Sequence, residues 1–293
     1  MAHSLQASEL IIESDGSIYH LRLRPEDLAD RVILVGDPGR VPLVSSFFDT
    51  IEMKRSNREF VTHTGTCRNK RITVLSTGIG TDNIDIVMNE LDALKNIDFR
   101  TRKIRSVPQQ LTVVRIGTSG SLQPEIPVST FLLSRKAIGF DGLMHFYAGT
   151  ARHADSLFAE NLMKELDWPE IWNKPYVFDA DEELAKKMSG PEVIEGITIS
   201  APGFYGPQGR MLRLPTLSPE MNRRISSYTS PGGEKITNYE MESSAVYGLS
   251  RLLGHRAVTL CAIIANRTTG EALENYKPLM EKLIEHVLNK LTA

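Results

Sequence analysis

Cysteine is scarce in this sequence. Two residues, Cys67 and Cys261, lie far apart and outside any CxxC spacing, which excludes a disulfide framework and a thiolate metal site. They suit a reducing compartment, as two small core side chains. Long apolar runs are also lacking: nothing approaches the roughly eighteen residues that a membrane-crossing helix needs. The first twenty residues have no basic start leading into an apolar stretch, so the expectation is a soluble, cytoplasmic chain. Charge of one sign is not in excess either. With 34 basic and 36 acidic residues the formal net charge is −2, which offers no global field to nucleic acid or membrane, so any bound anion must be held by local groups. The seven histidines form no HxxxH pair, leaving no metal site to propose, and the absence of GxxxxGK[ST] excludes a P-loop kinase or ATPase.

What is there is enough for a large core: 293 residues, 41% of them hydrophobic. Val32 to Val35 reads as a buried strand running into the turn Gly36-Asp37-Pro38-Gly39, with a short helix through Val44 and Phe47 after it. Phe60 to Cys67 and Arg71 to Ser76 flank Arg68-Asn69-Lys70 as a hairpin. A helix capped by Asp82 or Asn83 should follow, with Ile84, Val87, Met88, Leu91 and Leu94 on one face. Leu111 to Ile116 reads as a strand ending in a small-residue turn from Gly117 to Ser121. Helices are expected around Leu157 to Leu166, Glu182 to Met188 and Leu279 to Leu291, and strands at Val193 to Ser200 and Ala257 to Ile264. The alternation predicts an α/β fold on a mixed central sheet. No repeat, low-complexity tract or linker divides the chain, so one domain over 1–293 is expected. Residues 1–20 form its N-terminal arm, and 95–110 is an inserted, exposed excursion with five basic residues (Lys95, Arg100, Arg102, Lys103, Arg105) against Asp98.

Four stretches carry candidate chemistry. In Gly36-Asp37-Pro38-Gly39-Arg40, glycines let the backbone approach an anion and Arg40 supplies a fork of donors, although a plain turn with a surface arginine has the same spelling. Arg115 interrupts an otherwise apolar strand, which requires a counter-anion, either a bound one or a structural ion-pair partner. The loop from Gly203 to Arg210 offers an aromatic, an amide and a guanidinium, a set suited to a nucleobase; solvated loop residues are the bland reading. Ile263 to Thr268 closes the last strand. A fifth stretch, Asn238 to Leu252, sets Glu240 and Glu242 around Met241 ahead of a small, apolar helix; first-turn acids are ordinary dipole partners, but a buried helix start requires its acids to be satisfied inside. Thr77-Gly78-Ile79-Gly80-Thr81-Asp82-Asn83 starts like a dinucleotide fingerprint but has Asn83 at the third glycine position and follows a hairpin strand, which argues against it.

In order, VGDPGR, SNREF, STGIG, RIGTSGSL, FYGPQGR, NYEMES and IIANRT resemble the nucleoside phosphorylase family, its uridine-cleaving members most closely, from about His20 onward. The resemblance implies a distorted, barrel-like mixed sheet flanked by helices and phosphorolysis of uridine, with deoxyuridine or thymidine as further substrates, to uracil and ribose 1-phosphate. Inorganic phosphate is then the co-substrate, with no organic cofactor. It implies phosphate contacts from Gly36, Arg40, Arg115 and Thr118, with Arg58 reaching in from a neighbouring subunit. For the ribose it implies Thr118, Met241, Glu242 and a neighbour's His20, and for the base Phe204, Gln208, Arg210 and Ile264, with Arg267 supporting Arg210. Arg115, Glu242, Gln208 and Arg210 would carry the catalysis. A homo-oligomer follows, a dimer at least, as in bacterial hexamers built from dimers. Bacterial relatives can hold a monovalent cation near the position of Glu59, although Asn83 stands here where a serine is common. Members acting on purines place an aspartate at the position of Asn266, and an amide cannot protonate a purine nitrogen. A purine phosphorylase, a hydrolytic nucleosidase of the same fold and a non-catalytic nucleoside-binding protein are the alternatives.

Overall fold

The computed structural model describes residues 4–293; the first three residues of the expected N-terminal arm lie outside the described residues. Past the arm, the chain forms β1 (Arg31–Val35), α1 (Arg40–Ser45), the antiparallel run β2 (Thr50–Asn57), β3 (Phe60–Cys67) and β4 (Lys70–Ser76), and then α2 (Thr81–Asn96). A small hairpin of β5 (Ile97–Asp98) and β6 (Lys103–Ile104) precedes β7 (Thr112–Ser121) and β8 (Phe131–Gly139). The second half runs α3 (Thr150–His153), α4 (Ser156–Leu166), β9 (Tyr176–Asp179), α5 (Glu182–Met188) and β10 (Val193–Ser200). It closes with α6 (Met221–Ser227), β11 (Ile236–Glu240), α7 (Ser243–Leu253), β12 (Arg256–Asn266) and α8 (Lys277–Thr292).

The pairing explains the architecture. From β7 the sheet extends through β1 and β4, both parallel, to β3 and β2, both antiparallel. In the other direction β7 pairs β12, β12 pairs β8, β8 pairs β10 and β10 pairs β11, and β11 returns to β7, closing a five-stranded barrel. Strand β7 therefore belongs to both the open wing and the barrel. Helices cover both faces, as parallel strands require, since each is buried on two sides. On one face α2 and α7 pack with Leu21 and Leu23, just past the arm; on the other, α1, α5 and α8 cover Ile33, Val114 and Val258. Helix α7 sits close because it is built of small residues: a Cβ on Gly248 would lie 2.7 Å from the sulfur of Met144. Among the described residues no helix is long and apolar enough to cross a membrane.

Several expectations need correction. The stretch from Gly117 to Ser121 is no turn, because β12 pairs along all of it and keeps the strand going. Helix α2 begins at Thr81, a residue ahead of the expected cap, and its N-cap is Gly80, at φ +100. Strands β2, β8, β9 and β11 were not foreseen: β8 carries Ser134, Arg135 and Lys136 in its middle, and β2 is mostly solvent-exposed, so neither shows a buried-strand pattern. Residues 95–110 are exposed at Arg100, Lys103 and Arg105 and are also tied down by hydrogen bonds. The amide of Leu5 donates to the Arg102 carbonyl at 2.9 Å, the Arg102 guanidinium donates to the Leu10 carbonyl at 2.6 Å, and Asn96 accepts from the Gln109 amide at 2.6 Å.

Candidate active site

A cavity of about 580 Å³ opens at the carboxyl ends of β1 and β12, beside β7 and beneath the loop that follows β10. Of the residues singled out in the sequence, Gly36, Arg40, Arg115, Thr118, Phe204, Gln208, Arg210, Met241, Glu242 and Ile264 line it.

One end is cationic. Strand β1 stops at Val35, the Gly36–Gly39 turn reverses the chain, and Arg40 is thereby brought to the first position of α1. Arg40 is 9% exposed and donates to the Ile116 carbonyl at 3.2 Å. Its guanidinium is pulled below its ordinary range first by burial and then by the like charge of Arg115. Arg115 comes from the middle of β7, level with Leu34 of β1 and Thr259 of β12. It is 4% exposed. One of its terminal nitrogens, Nη2, pairs with Glu242, while Nη1 lies 3.1 Å from Glu240 and 3.7 Å from the sulfur of Cys261. Burial opposes its charge, but Glu242 and then Glu240 outweigh burial and hold it above the ordinary arginine range.

The two carboxylates are placed differently. Glu240, the last residue of β11, accepts from the amides of Glu242 and Ser243 at 3.0 Å and from the hydroxyl of Ser200, so it satisfies the amino end of α7. Glu242 precedes that helix. Its Oε1 accepts from the Gly80 amide at 2.8 Å, and its Oε2 faces Arg115. Burial pushes the Glu242 carboxyl up, Arg115 pulls it down, and Glu240 adds to the rise; it stands above the usual carboxylate range because burial, helped by Glu240, outweighs the pull of Arg115. The partners of the buried Glu242 carboxylate are thus Arg115 and Gly80.

At the other end, the loop after β10 turns through Gly206–Gln208, and Gly209, at φ +67, points the chain back. Gln208 is buried, whereas Phe204 is half-exposed. The Arg210 guanidinium lies 3.9 Å over the Phe204 ring and donates to the Phe204 carbonyl at 2.8 Å and to the Gln208 side-chain oxygen. Burial, and then the neighbouring Arg267, bring Arg210 down to about 10, so it is still a cation at neutral pH. Arg267 stands behind this wall, 5.4 Å from the Tyr239 ring, with one terminal nitrogen buried and unbonded.

Other predicted residues lie elsewhere on this chain. Arg58, at φ +52, occupies the turn between β2 and β3, exposed and 5.9 Å from the Tyr19 ring. His20 sits beside it, with its Nδ1 2.6 Å from Glu90 and its carbonyl accepting from Asn57 at 2.7 Å. Both are outside the lining of the cavity. The Glu59 side chain packs against Gly78, and no group of three or more His, Cys, Asp or Glu placed to hold a metal occurs among the described residues. Asn266 does not face the cavity. Its amide donates to the Gln123 and Ile126 carbonyls at 2.9 and 3.0 Å and accepts from the amides of Thr268 and Thr269, so it fastens the end of β12, and nothing about base choice follows from its contacts here.

Sequence reasoning passed over two contributors. The Gly78–Gly80 loop was set aside with the dinucleotide fingerprint, yet Gly78 and Ile79 line the cavity and Gly80 holds Glu242. A glycine turn joining a strand to a helix was the available signal, since only such a turn frees an amide at that place. Cys261 is a core residue as expected, but its thiol also touches Arg115, which only the register of β12 against β7 reveals.

The chain is similar to known proteins over most of its length. The phosphorylase superfamily profile matches residues 30–291. A uridine phosphorylase of Thermococcus kodakarensis is 29% identical over 276 residues, covering 92% of this chain and 85% of the relative. The uridine phosphorylase of Escherichia coli is 30% identical over 263 residues, covering 88% and 89%. Among solved structures, a Trypanosoma brucei nucleoside phosphorylase described as showing uridine phosphorylase activity superposes with a TM-score of 0.86 at 30% identity, over 96% of this chain and 99% of that one.

Proposed function

The chain belongs to the phosphorylase superfamily, and on that premise we propose that it cleaves uridine with inorganic phosphate, giving uracil and ribose 1-phosphate. The observation that carries this reading is a single cavity lined together by Arg40 and Arg115, by Glu242 and Met241, and by Gln208 and Arg210.

The chemistry follows from where charge develops. As the N-glycosidic bond lengthens, the ribose ring becomes cationic and the departing base anionic, so a site accelerates the reaction by stabilising both together. Phosphate on Arg40 and Arg115 lies beneath the sugar, balances the growing cation and attacks the anomeric carbon. Arg210 and Gln208 disperse the charge that collects on the pyrimidine. Glu242 fixes the ribose through its hydroxyls, and Phe204 packs on the base. The bond electrons leave with uracil, which takes up a proton on release; no covalent enzyme intermediate or organic cofactor enters the scheme. Incubation with uridine, thymidine and inosine, with and without phosphate, tests the reading by free-base release. Uracil set free without phosphate would mean hydrolysis, and release from inosine alone would reassign the base.

Gln208→Ala should raise KM for uridine by roughly 10-fold, with a smaller change in KM for phosphate, because only the base end loses a partner. An equal rise in both would remove Gln208 from the base site.

The resemblance gives Arg58 and His20 to a neighbouring subunit's site, and their shared place on one surface patch suits that role. The proposed working form is a cytoplasmic homo-oligomer, a dimer at least. Mixing Arg58→Ala with Glu242→Ala subunits should then restore activity that neither has alone. In a two-fold dimer roughly a quarter of the parental activity is expected, since half the dimers are mixed and each carries one complete site. No recovery after subunit exchange would place Arg58 outside the neighbour's site.

A further inference from the structure

Arg115 is asked to hold phosphate, yet its charge is already claimed by two carboxylates. They are not equally able to let go. Glu240 is fixed by two amides of α7 and the Ser200 hydroxyl, so it keeps its position whatever Arg115 does. Among the described residues the Glu242 carboxylate has one other bond, from Gly80, and that bond is to its other oxygen. A Cβ on Gly117 would lie 2.3 Å from Nη1 and 3.1 Å from Nη2, so the guanidinium sits close against this glycine, with Cys261 and Glu240 at the Nη1 edge. Turning about that edge swings Nη2 away from Glu242 and leaves the rest in place.

We infer that Arg115 is an exchangeable counter-ion: phosphate takes its Nη2 from Glu242, and the freed Glu242 oxygen then accepts from the ribose hydroxyls. This deepens the function proposed above and rests on it. Glu240 is the positioning residue that retains Arg115 during the exchange. Glu242 is 4% exposed, so a lost cationic partner must be replaced by another donor inside the cavity, and a sugar diol supplies two. Each substrate thereby raises the affinity of the other, by the same factor in both directions. Uridine carries no net charge, so simple attraction between the substrates does not produce this coupling.

The test is calorimetric titration of the full-length protein with uridine, without sulfate and with saturating sulfate, a tetrahedral dianion that leaves the nucleoside intact. The expected result is a uridine Kd about 10-fold lower in sulfate. Uracil, which lacks the sugar, and 2′,3′-dideoxyuridine, which lacks the diol, should change by less than about 2-fold under the same linkage. Glu242→Gln should bind sulfate more tightly than the parent does, because Arg115 is released, and should lose the uridine coupling. An unchanged uridine Kd in sulfate overturns the exchange, and so does coupling of equal size with dideoxyuridine. Uracil release measured on the same sample separates the two proposals: release without coupling removes only the exchange, whereas neither uridine binding nor release removes the enzyme reading as well.

Discussion

Arg115→Ala should lower kcat/KM for phosphate-dependent cleavage by about 10³-fold, the scale seen when a preorganised electrostatic donor is removed from a dry site. The loss has a second component. With the guanidinium gone, Glu240 and Glu242 remain as two buried acids without a cation, which costs about 3–5 kcal/mol of stability. Arg115→Lys separates the components: it keeps a positive charge between the acids but not the fork that reaches Glu240 and phosphate together. It should melt near the parent and still lose roughly 10²-fold in kcat/KM. Steady-state rates and melting curves for both variants are the measurement, and alanine within 10-fold of the parent would leave the site without its central cation.

Gly117→Ala is expected to have a comparable catalytic effect by a subtler route. The added methyl would meet Nη1 of Arg115 at 2.3 Å, its central carbon at 3.0 Å and Nη2 at 3.1 Å. The backbone at Gly117 is ordinary strand, paired with Cys261, so alanine fits the main chain and only the guanidinium has to move. Misplacing a catalytic group by about 1 Å costs on the order of 10²-fold. We therefore expect that loss in kcat/KM, with a KM for phosphate that rises more than the KM for uridine. Unaltered kinetics would show that Arg115 works from a position other than the one over Gly117.

How far the sequence reveals this site depends on the range of each contact. The β1 strand, the turn before Arg40, the α2 stripe and the small-residue helix α7 are set by neighbours a few positions away, so periodicity and glycine placement reveal them. An arginine within an apolar strand likewise signals that a carboxylate or anion must face it. That both Glu240 and Glu242 face it cannot be read locally, because β7 and β11 lie more than a hundred residues apart in the chain and meet only on closure of the barrel. The missed strands fail for the same reason: the polar middle of β8 is buried by partners distant in sequence, with the hydroxyls of Ser134 and Thr198 bonded to each other and Lys136 held by Asp155 and Asp179. The apparent turn after Ile116 misled because small residues are also what a strand needs where a guanidinium must sit close against it.

The shared position of β7 bears on how long the site survives thermal motion. Its main chain is paired with β12 along its whole length, and its other edge is paired with β1 as far as Ile116 and with β11 at Gly120 and Ser121. Around Arg115 the strand is held on both edges, so opening it there means parting it from β1 of the wing and β12 of the barrel together. The amide hydrogens around Arg115 should therefore exchange with solvent only through global unfolding. The backbone that carries the Arg115 cation thus has the lifetime of the fold.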